Sequence, residues 1–177
     1  MSERLPCGCP SSYPDWRSGD IDLGGQLVHD LGIPMFMHMP VGYENYLFKQ
    51  KTNIEDLELH EAWPGFNLTR TGAFRGQLLC PLQESHSPAH HIRILPTPFH
   101  LRVRLFHGDV TNMRQEVRAM QSELLDEGLL PKELFLSYLT CPECEDKRGG
   151  KRLMILRHWV SSKKLEKKLQ RRQQKSA

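Results

Sequence analysis

A short pattern occurs twice in this chain, ending at Gly42 and at Gly108, 66 residues apart. The first copy is the alternating segment Met35–Met39, and the second is Leu101–His107. In each copy the alternation predicts a strand, the glycine predicts a turn, and the residues that follow have the apolar spacing of a helix. A repeat of this kind indicates an architecture of two similar units.

Two further strands follow each helix. The predicted elements are a helix over 43–59, a hairpin over 66–80, a helix over 109–127 with Asp109 as its N-cap, and strands over 133–140 and 152–159. Each unit is therefore strand, helix, strand, strand. We predict an α+β fold in which the two pseudo-repeated units form one antiparallel sheet with both helices on one face.

The predicted boundaries follow from these units. Residues 1–33 form an irregular N-terminal segment with a short helix over Asp22–Leu31, because Gly32 and Pro34 would end a helix there. Residues 34–160 form the domain, with units at about 34–82 and 99–160. Residues 161–177 form a basic C-terminal tail.

The alternation also predicts which side chains face the helices. We expect these to be the apolar sets Met35, Met37, Met39 and Leu101, Val103, Leu105. The opposite sheet face would then hold Phe36, His38, Arg102, Arg104 and Phe106, which is too polar for a dry core. That face is either solvated, as is normal for antiparallel sheets, or the wall of a ligand cleft.

Composition places the chain among ordinary globular proteins, with 38% apolar and 25% charged residues. No apolar run approaches the roughly 20 residues of a membrane-spanning helix. The first residues lack the apolar stretch of a secretory signal. We expect a soluble cytoplasmic protein without a membrane span, whose thiols are reduced.

The net charge of +3 is unevenly distributed. Residues 163–177 carry seven Lys or Arg and one acid, a charge of +6, so the rest of the chain sums to −3. A basic tail can contact nucleic acid or an acidic partner, or it can be a solvated helical extension. The domain has no basic stripe interleaved with aromatic residues, so the sequence does not favour nucleic-acid binding.

The glycine-bounded turns Pro40–Tyr43 and Phe106–Asp109, together with the duplicated unit, resemble the GyrI-like family, which is related to the SOUL haem-binding fold. The resemblance covers about residues 34–160. It implies a cleft between the two units that binds flat, apolar, often cationic molecules. Some members of the family are proposed to sequester toxins and others to hydrolyse strained electrophilic compounds.

In that family an aromatic cleft binds a small planar, hydrophobic ligand, which could here include a tetrapyrrole. The resemblance makes cleft candidates of Tyr43, Trp63, Phe66, Phe106 and Tyr138. Stacking of aromatic rings contributes about 0.5–1.5 kcal/mol beyond burial. Each of these residues could equally be an ordinary core or surface aromatic. The sequence departs from the family in one respect, because its last strand lacks the usual carboxylate, and Glu61 and Glu133 lie at the ends of predicted elements.

The cysteines form two close pairs and a single residue, Cys80. The pairs are Cys7 with Cys9 and Cys141 with Cys144. Four thiolates are a common ligand set for structural zinc, so we predict a zinc site that joins the N-terminal segment to the second hairpin. The alternatives are four unligated thiols, or a redox site at Cys141 and Cys144, which would require a helix starting at the motif.

Two functions follow from these patterns. The first is a protein that binds a small hydrophobic ligand between its two units, with hydrolase activity as a further step. The second is a zinc-stabilised adaptor whose basic tail contacts an acidic partner. None of the common catalytic motifs is present in the sequence, so it names no catalytic residue and no oligomeric state.

Overall fold

The computed structural model describes residues 5–16, 18–108 and 111–176. In these ranges the protein has three α-helices and nine β-strands. The helices are α1 (Tyr43–Asp56), α2 (Met113–Asp126) and α3 (Lys163–Ser176). The strands are β1 (Ser18–Asp22), β2 (Leu27–Phe36), β3 (Met39–Pro40), β4 (Leu68–Arg70), β5 (Arg75–Pro81), β6 (Ile92–Ile94), β7 (His100–His107), β8 (Leu129–Tyr138) and β9 (Arg152–Ser161).

The strands form one antiparallel sheet in the order β1-β7-β9-β8-β4-β5-β2-β3, and β6 pairs with β2. The central contact is between β4 and β8, where Thr69 lies opposite Leu136. One half has the element order β2, α1, β4, β5, and the other has β7, α2, β8, β9. The predicted α+β class is therefore confirmed, while the internal duplication itself stays a prediction.

Both helices lie on the same face of the sheet. Leu78, Thr69, Leu136 and Ile155 are successive cross-strand partners and therefore share a face. Tyr46 and Leu47 of α1 pack against the cluster that contains Leu78, and Met113 and Met120 of α2 belong to the cluster of Leu136 and Ile155. The amphipathic spacing of each helix therefore covers one half of this face.

The prediction of a short helix over Asp22–Leu31 is wrong. Strand β2 begins at Leu27 and pairs with β5 from Val28 opposite Pro81 to Pro34 opposite Arg75. The apolar residues in this segment satisfy helical and alternating spacing equally well. The pairing with β5 favours the strand, because it gives hydrogen-bond partners to the backbone N–H and C=O groups of this segment. A helix would be interrupted at Gly32 and Pro34.

The predicted strand Met35–Met39 is also wrong, because the chain reverses within it. Met37 and His38 have left-handed φ values of 47° and 69°, and they form a two-residue hairpin turn between β2 and β3. Such turns match the twist of the strands they join. Met35 is therefore 5% exposed, whereas Met37 is 72% and Met39 50% exposed, so the three methionines do not share a buried face.

The predicted facing of β7 is reversed in the structure. Leu101 and Val103 are buried in the core on the face opposite the helices, with Leu105 packed against that core. Arg104 faces α2 and donates hydrogen bonds to Glu116 and to Glu123, the latter at 2.7 Å. The polar face of β7 is therefore covered by a helix, since the carboxylates of α2 pair with its arginine.

The core opposite the helices is sealed by segments outside regular structure. Tyr13 and Trp16 of the N-terminal segment pack against it, and Leu95 and Phe99 from the connection before β7 are part of it. The sheet face opposite the helices was predicted to be either solvated or the wall of a ligand cleft. That prediction is wrong, because this face is covered by a dry core.

The predicted N-cap of α2, Asp109, lies outside the described residues. No helix in the described ranges is long and apolar enough to span a membrane.

Candidate metal centre and cleft

Four cysteine thiols converge between the N-terminal segment and the loop that joins β8 to β9. The sulfurs of Cys7, Cys9, Cys141 and Cys144 all lie within 4.8 Å of one another. The Cys141 and Cys144 sulfurs are 3.9 Å apart, far beyond the roughly 2.05 Å of a disulfide. Tetrahedral thiolates bound to a metal at about 2.3 Å are separated by about 3.8 Å. The cluster can therefore hold a metal ion.

Local backbone structure directs these thiols towards one point. The N–H groups of Cys144 and Glu145 donate to the carbonyl of Cys141, at 3.1 and 2.9 Å, and close a tight turn around the second pair. In the first pair Gly8 has a left-handed φ of 83°, a conformation that glycine adopts without strain. The Leu5 N–H donates to the Cys9 carbonyl at 3.0 Å and fixes that bend.

Further contacts connect the same two segments. The Arg148 guanidinium donates to the carbonyl of Pro10 at 3.2 Å and to that of Leu139 at 2.7 Å. The N-terminal segment also packs against the connection between α1 and β4, since a Cβ at Gly65 would be 3.1 Å from the Gly8 carbonyl oxygen. The four cysteines therefore belong to an ordered junction between distant parts of the chain.

The thiols influence one another's ionisation. Burial, together with the other thiols, raises the pKa of Cys9 far above its ordinary value. Burial also raises the pKa of Cys141. Burial acts to raise the pKa of Cys144, but hydrogen bonds from the Cys141 backbone and from neighbouring thiols outweigh it, so this pKa is lowered. Several thiolates in one place repel each other, and a cation would remove that repulsion.

The motif at Cys141 is not followed by an α-helix. The next helical element is a single 3₁₀ turn, Asp146–Arg148. Helix dipoles that activate redox cysteines require a helix N-terminus at the motif. The geometry therefore does not support the redox alternative, and Cys144 is only 7% exposed.

A cleft of about 940 Å³ opens on the helix face, between the β2–β3 hairpin and α2. Its floor is formed by residues of β8 and β9. The lining residues are Met37, His38, Met39, Thr71, Thr111, Met113, Arg114, Val117, Arg118, Lys132, Glu133, Leu134, Leu136 and Arg157. Apolar side chains thus line its interior together with several cations.

Among the described residues of this lining, Glu133 is the only acidic one. Its Oε2 lies 2.7 Å from Nδ1 of His158, whose ring stacks on Phe99 with centroids 4.3 Å apart. Burial acts to raise the pKa of Glu133, but the bond to His158 and the charge of Arg70 outweigh it, so this pKa lies below its ordinary value. Glu133 is therefore an ionised carboxylate at neutral pH.

Glu133, which the sequence places at the end of a predicted strand, lies inside β8 in the structure. β8 begins at Leu129, and a register irregularity between Pro131 and Leu134 interrupts its pairing with β9. Such irregularities redirect side chains. Glu133 lies at this one: it is among the residues that line the cleft, while its carboxylate bonds to His158, a residue of the opposite sheet face.

Arg157 is a half-buried cation in the cleft floor. Its Nε is buried without a hydrogen-bond partner. Burial lowers the pKa of Arg157, and the nearby charge of Glu133 opposes this effect only in part. Among the described residues no carboxylate forms an ion pair with it.

The aromatic candidates lie in several places. On the helix face, Tyr43 and Tyr138 form an edge-to-face pair with centroids 5.2 Å apart, and the Tyr43 hydroxyl lies 3.1 Å from Thr69 Oγ1. Burial raises the pKa of both phenols, so both are neutral. Phe106 packs in the cluster under α2.

The other two candidates lie on the opposite face of the sheet. Trp63 and Phe66 contact Trp16 edge-on, at 5.3 and 5.8 Å between centroids. Phe66 is fully buried, and Trp63 lines a separate, more open depression of about 590 Å³. The structure thus does not bring the five aromatic candidates together, and none of them lines the larger cleft. Their role in ligand binding stays a prediction.

The sequence-based predictions did not include Arg157, although it is a charged residue directly after the apolar run Leu153–Leu156.

These features define an α+β domain with one antiparallel sheet, a four-cysteine cluster and a cleft on its helix face. The model of a family described as "Bacterial hydrolase" matches residues 4–158. This is most of the chain, which therefore belongs to the bacterial hydrolase family. No curated protein matches it.

Proposed function

We propose that this chain is a hydrolase that binds a small, largely hydrophobic acyl compound in the 940 Å³ cleft, with Glu133 as its general base. The observation that carries the proposal is Glu133, the single acid among the described residues of an otherwise apolar and cationic lining. Pockets of about 300–1,000 Å³ with an apolar lining and few polar groups are typical small-molecule sites.

The apolar residues of the cleft would supply most of the binding free energy. Met113, Val117, Leu134 and Leu136 form a continuous surface between α2 and β8. Burying 100 Å² of apolar ligand surface contributes about 2.5 kcal/mol. Met37 and Met39 at the mouth are flexible and polarisable, and such residues adapt to ligands of different shapes.

In the proposed reaction Glu133 removes a proton from a water molecule while the water oxygen attacks the acyl carbon. The carbon–oxygen bond forms, the bond to the leaving group breaks, and Glu133 returns the proton to the leaving group. His158 acts as a positioning residue. Its Nδ1 lies 2.7 Å from one oxygen of the Glu133 carboxylate, and this hydrogen bond fixes the orientation of the other oxygen.

Hydrolysis of a panel of p-nitrophenyl acyl esters tests this function. Glu133→Gln preserves shape and removes the base, so kcat should fall by about 10²–10⁴-fold while binding of a non-hydrolysable analogue is retained. Glu55→Gln is the matched control, since Glu55 is an exposed residue of α1 that contacts Lys51. An unchanged kcat in Glu133→Gln, or no hydrolysis of any acyl ester by the wild type, would contradict the proposal.

We also propose that the four cysteines hold a zinc ion in a structural role. Four thiolates without an open coordination position are typical of structural zinc. Elemental analysis of the purified protein should give about one zinc per chain, and Cys141→Ser with Cys144→Ser should abolish it. Cys80→Ala is the control, because Cys80 is buried in the sheet away from the cluster.

The adaptor alternative receives less support. Residues 163–176 form α3, an element that carries the basic residues of the tail. A basic helix is compatible with an acidic partner, but a hydrolase family and a well-formed cleft favour the first function.

A further inference from the structure

We infer that the ligand of this cleft is an amphiphilic anion, with an apolar body against α2 and β8 and a carboxylate or phosphate oxyanion at Arg157. This inference rests on the proposed function, because it names the ligand class of the same cleft. It differs from the often cationic ligands that the GyrI-like resemblance implies.

The charge of the cleft is strongly unbalanced. Of the lining residues that the structure describes, four are cations, namely Arg114, Arg118, Lys132 and Arg157, and Glu133 is the only acid. The Glu133 carboxylate is already bonded to His158. A positively charged cleft with low-dielectric walls raises the local concentration of anions and repels cations.

Comparison with two neighbouring arginines shows what is unusual about Arg157. Arg102 lies directly opposite it on β7, so both side chains leave the same face of the sheet. Arg102 bonds to Asp20 and Glu127, each at 2.7–2.8 Å, and Arg104 bonds to two glutamates of α2. Two of the three arginines on this face therefore have two carboxylates each, while Arg157 has none among the described residues.

An unpaired guanidinium with a buried nitrogen is unfavourable for folding. The Nε of Arg157 is buried and has no hydrogen-bond partner. The α2 carboxylates Glu116 and Glu123 are engaged by Arg104. An oxyanion entering the cleft would supply the missing acceptor, and guanidinium groups bind carboxylates and phosphates with two parallel hydrogen bonds.

The apolar part of the ligand follows from the same geometry. Leu134 is the cross-strand partner of Arg157, and Leu136 lies further along β8 on the same face. Arg157 therefore borders the apolar floor directly. A molecule with an anionic end and an apolar body of several carbons fills both parts, whereas a neutral molecule leaves the guanidinium unpaired.

Binding of four matched eight-carbon probes by titration calorimetry at neutral pH tests this inference. The probes are octanoate, octyl phosphate, octanol and octylamine. The wild type should bind octanoate or octyl phosphate at least about tenfold more tightly than octanol, the typical effect of one charge-assisted contact, and octylamine most weakly. The ratio of the two anion affinities distinguishes a carboxylate ligand from a phosphate ligand.

Arg157→Gln should remove the preference for the anions and retain the affinity for octanol. Arg157→Lys keeps the charge without the two-pronged geometry and should retain part of the preference. Arg93→Gln is the matched control, since Arg93 pairs with Asp30 outside the cleft lining. If Arg157→Gln fails to fold, the wild-type probe order and Arg157→Lys still decide the question.

The outcomes separate this inference from the proposed function. If octanol binds as tightly as octanoate, or Arg157→Gln keeps the anion preference, the inference is wrong and the cleft can still be the hydrolase site. If no probe binds to the wild type, the proposed ligand site itself is contradicted. Binding of anions to wild type and Glu133→Gln alike, without ester hydrolysis, supports the inference and contradicts only the proposed reaction.

Discussion

Arg102 on β7 donates to Asp20 on β1 and to Glu127 just after α2, both at 2.8 Å or less. One guanidinium therefore ties an edge strand and the end of a helix to the same point of the sheet. The Arg102 side chain is 12% exposed, while Asp20 and Glu127 are 37% and 51% exposed. This partial burial separates it from ordinary surface ion pairs, which contribute about 0–1 kcal/mol.

Replacing Arg102 with Met should lower the free energy of unfolding by about 1–2 kcal/mol, because two carboxylates lose a shared partner and both are partly solvated. Arg93→Met, at a more exposed pair with Asp30, should cost about 0–1 kcal/mol. Urea unfolding of both variants measures the difference. Equal losses would show that Arg102 contributes no more than a surface ion pair.

The same pairing predicts how acid affects stability. The hydrogen bond from Arg102 holds the pKa of Asp20 and the pKa of Glu127 below their ordinary values. A carboxyl group whose pKa is lowered by folding stabilises the protein above its unfolded pKa of about 4, and this contribution is lost as the pH falls through the folded pKa. The wild type should therefore lose its advantage over Arg102→Met below about pH 4.

Metal removal should loosen the N-terminal segment before it unfolds the sheet. The metal is removed by a chelator, and its ligands are removed by Cys7→Ser with Cys9→Ser. Either change should lower the melting temperature by about 5–15 °C if the metal centre contributes about 2–5 kcal/mol. Trp16 lies on this segment and contacts Trp63, so tryptophan emission should shift to longer wavelength. Cys80→Ala, which keeps the four cluster cysteines, should show the same chelator-dependent shift as the wild type, whereas Cys7→Ser with Cys9→Ser should show none.

The pairing of Glu133 with His158 predicts the acid side of the activity profile. Only ionised Glu133 can accept a proton, so kcat/KM should fall as the pH drops through the pKa of Glu133, which lies below its ordinary value. His158→Phe keeps the stacking on Phe99 and removes the hydrogen bond, so the pKa of Glu133 should rise and the acid limb should move to higher pH. An unmoved acid limb would show that Glu133 is not the titrating base.

The fold class could be predicted from the sequence because helices and hairpins have strong local signals. α1, α2 and the later strands lie close to their predicted positions, and Gly128 has the positive φ of 81° expected after a helix. The Met35–Met39 strand failed because its turn residues, Met37 and His38, are not ones that favour left-handed φ. Local composition thus gave no sign of the chain reversal.

The facing of β7 could not be predicted from alternation alone. Alternation shows that Arg102 and Arg104 share a face, but it does not show that acids on α2 and β1 will pair with them. The cleft was missed for a related reason. Glu133 lies at the register irregularity of β8, and Arg157 lies opposite Leu134 beside it, which are tertiary features. The cysteine cluster was found, since two close pairs of thiols are a typical ligand set for a structural metal.

The last prediction concerns the contact between Gly128 and α3. A Cβ at Gly128 would be 3.2 Å from Glu166 Cγ and 3.4 Å from Leu169 Cδ1, and its φ of 81° is unfavourable for any other residue. Gly128→Ala should therefore cost about 1–2 kcal/mol for the backbone and a further amount for displacing α3. Gly150→Ala is the control, because its φ of 102° is also positive and nothing lies within 4 Å.

In a Glu166→Ala, Leu169→Ala background, the contact part of the Gly128→Ala cost should disappear and leave the backbone part. Urea unfolding of these variants gives the interaction free energy as the difference between the two backgrounds. A cost that is the same in both backgrounds would mean that α3 does not pack against Gly128. A smaller cost with α3 side chains removed would mean that the basic helix is held against the domain at this glycine.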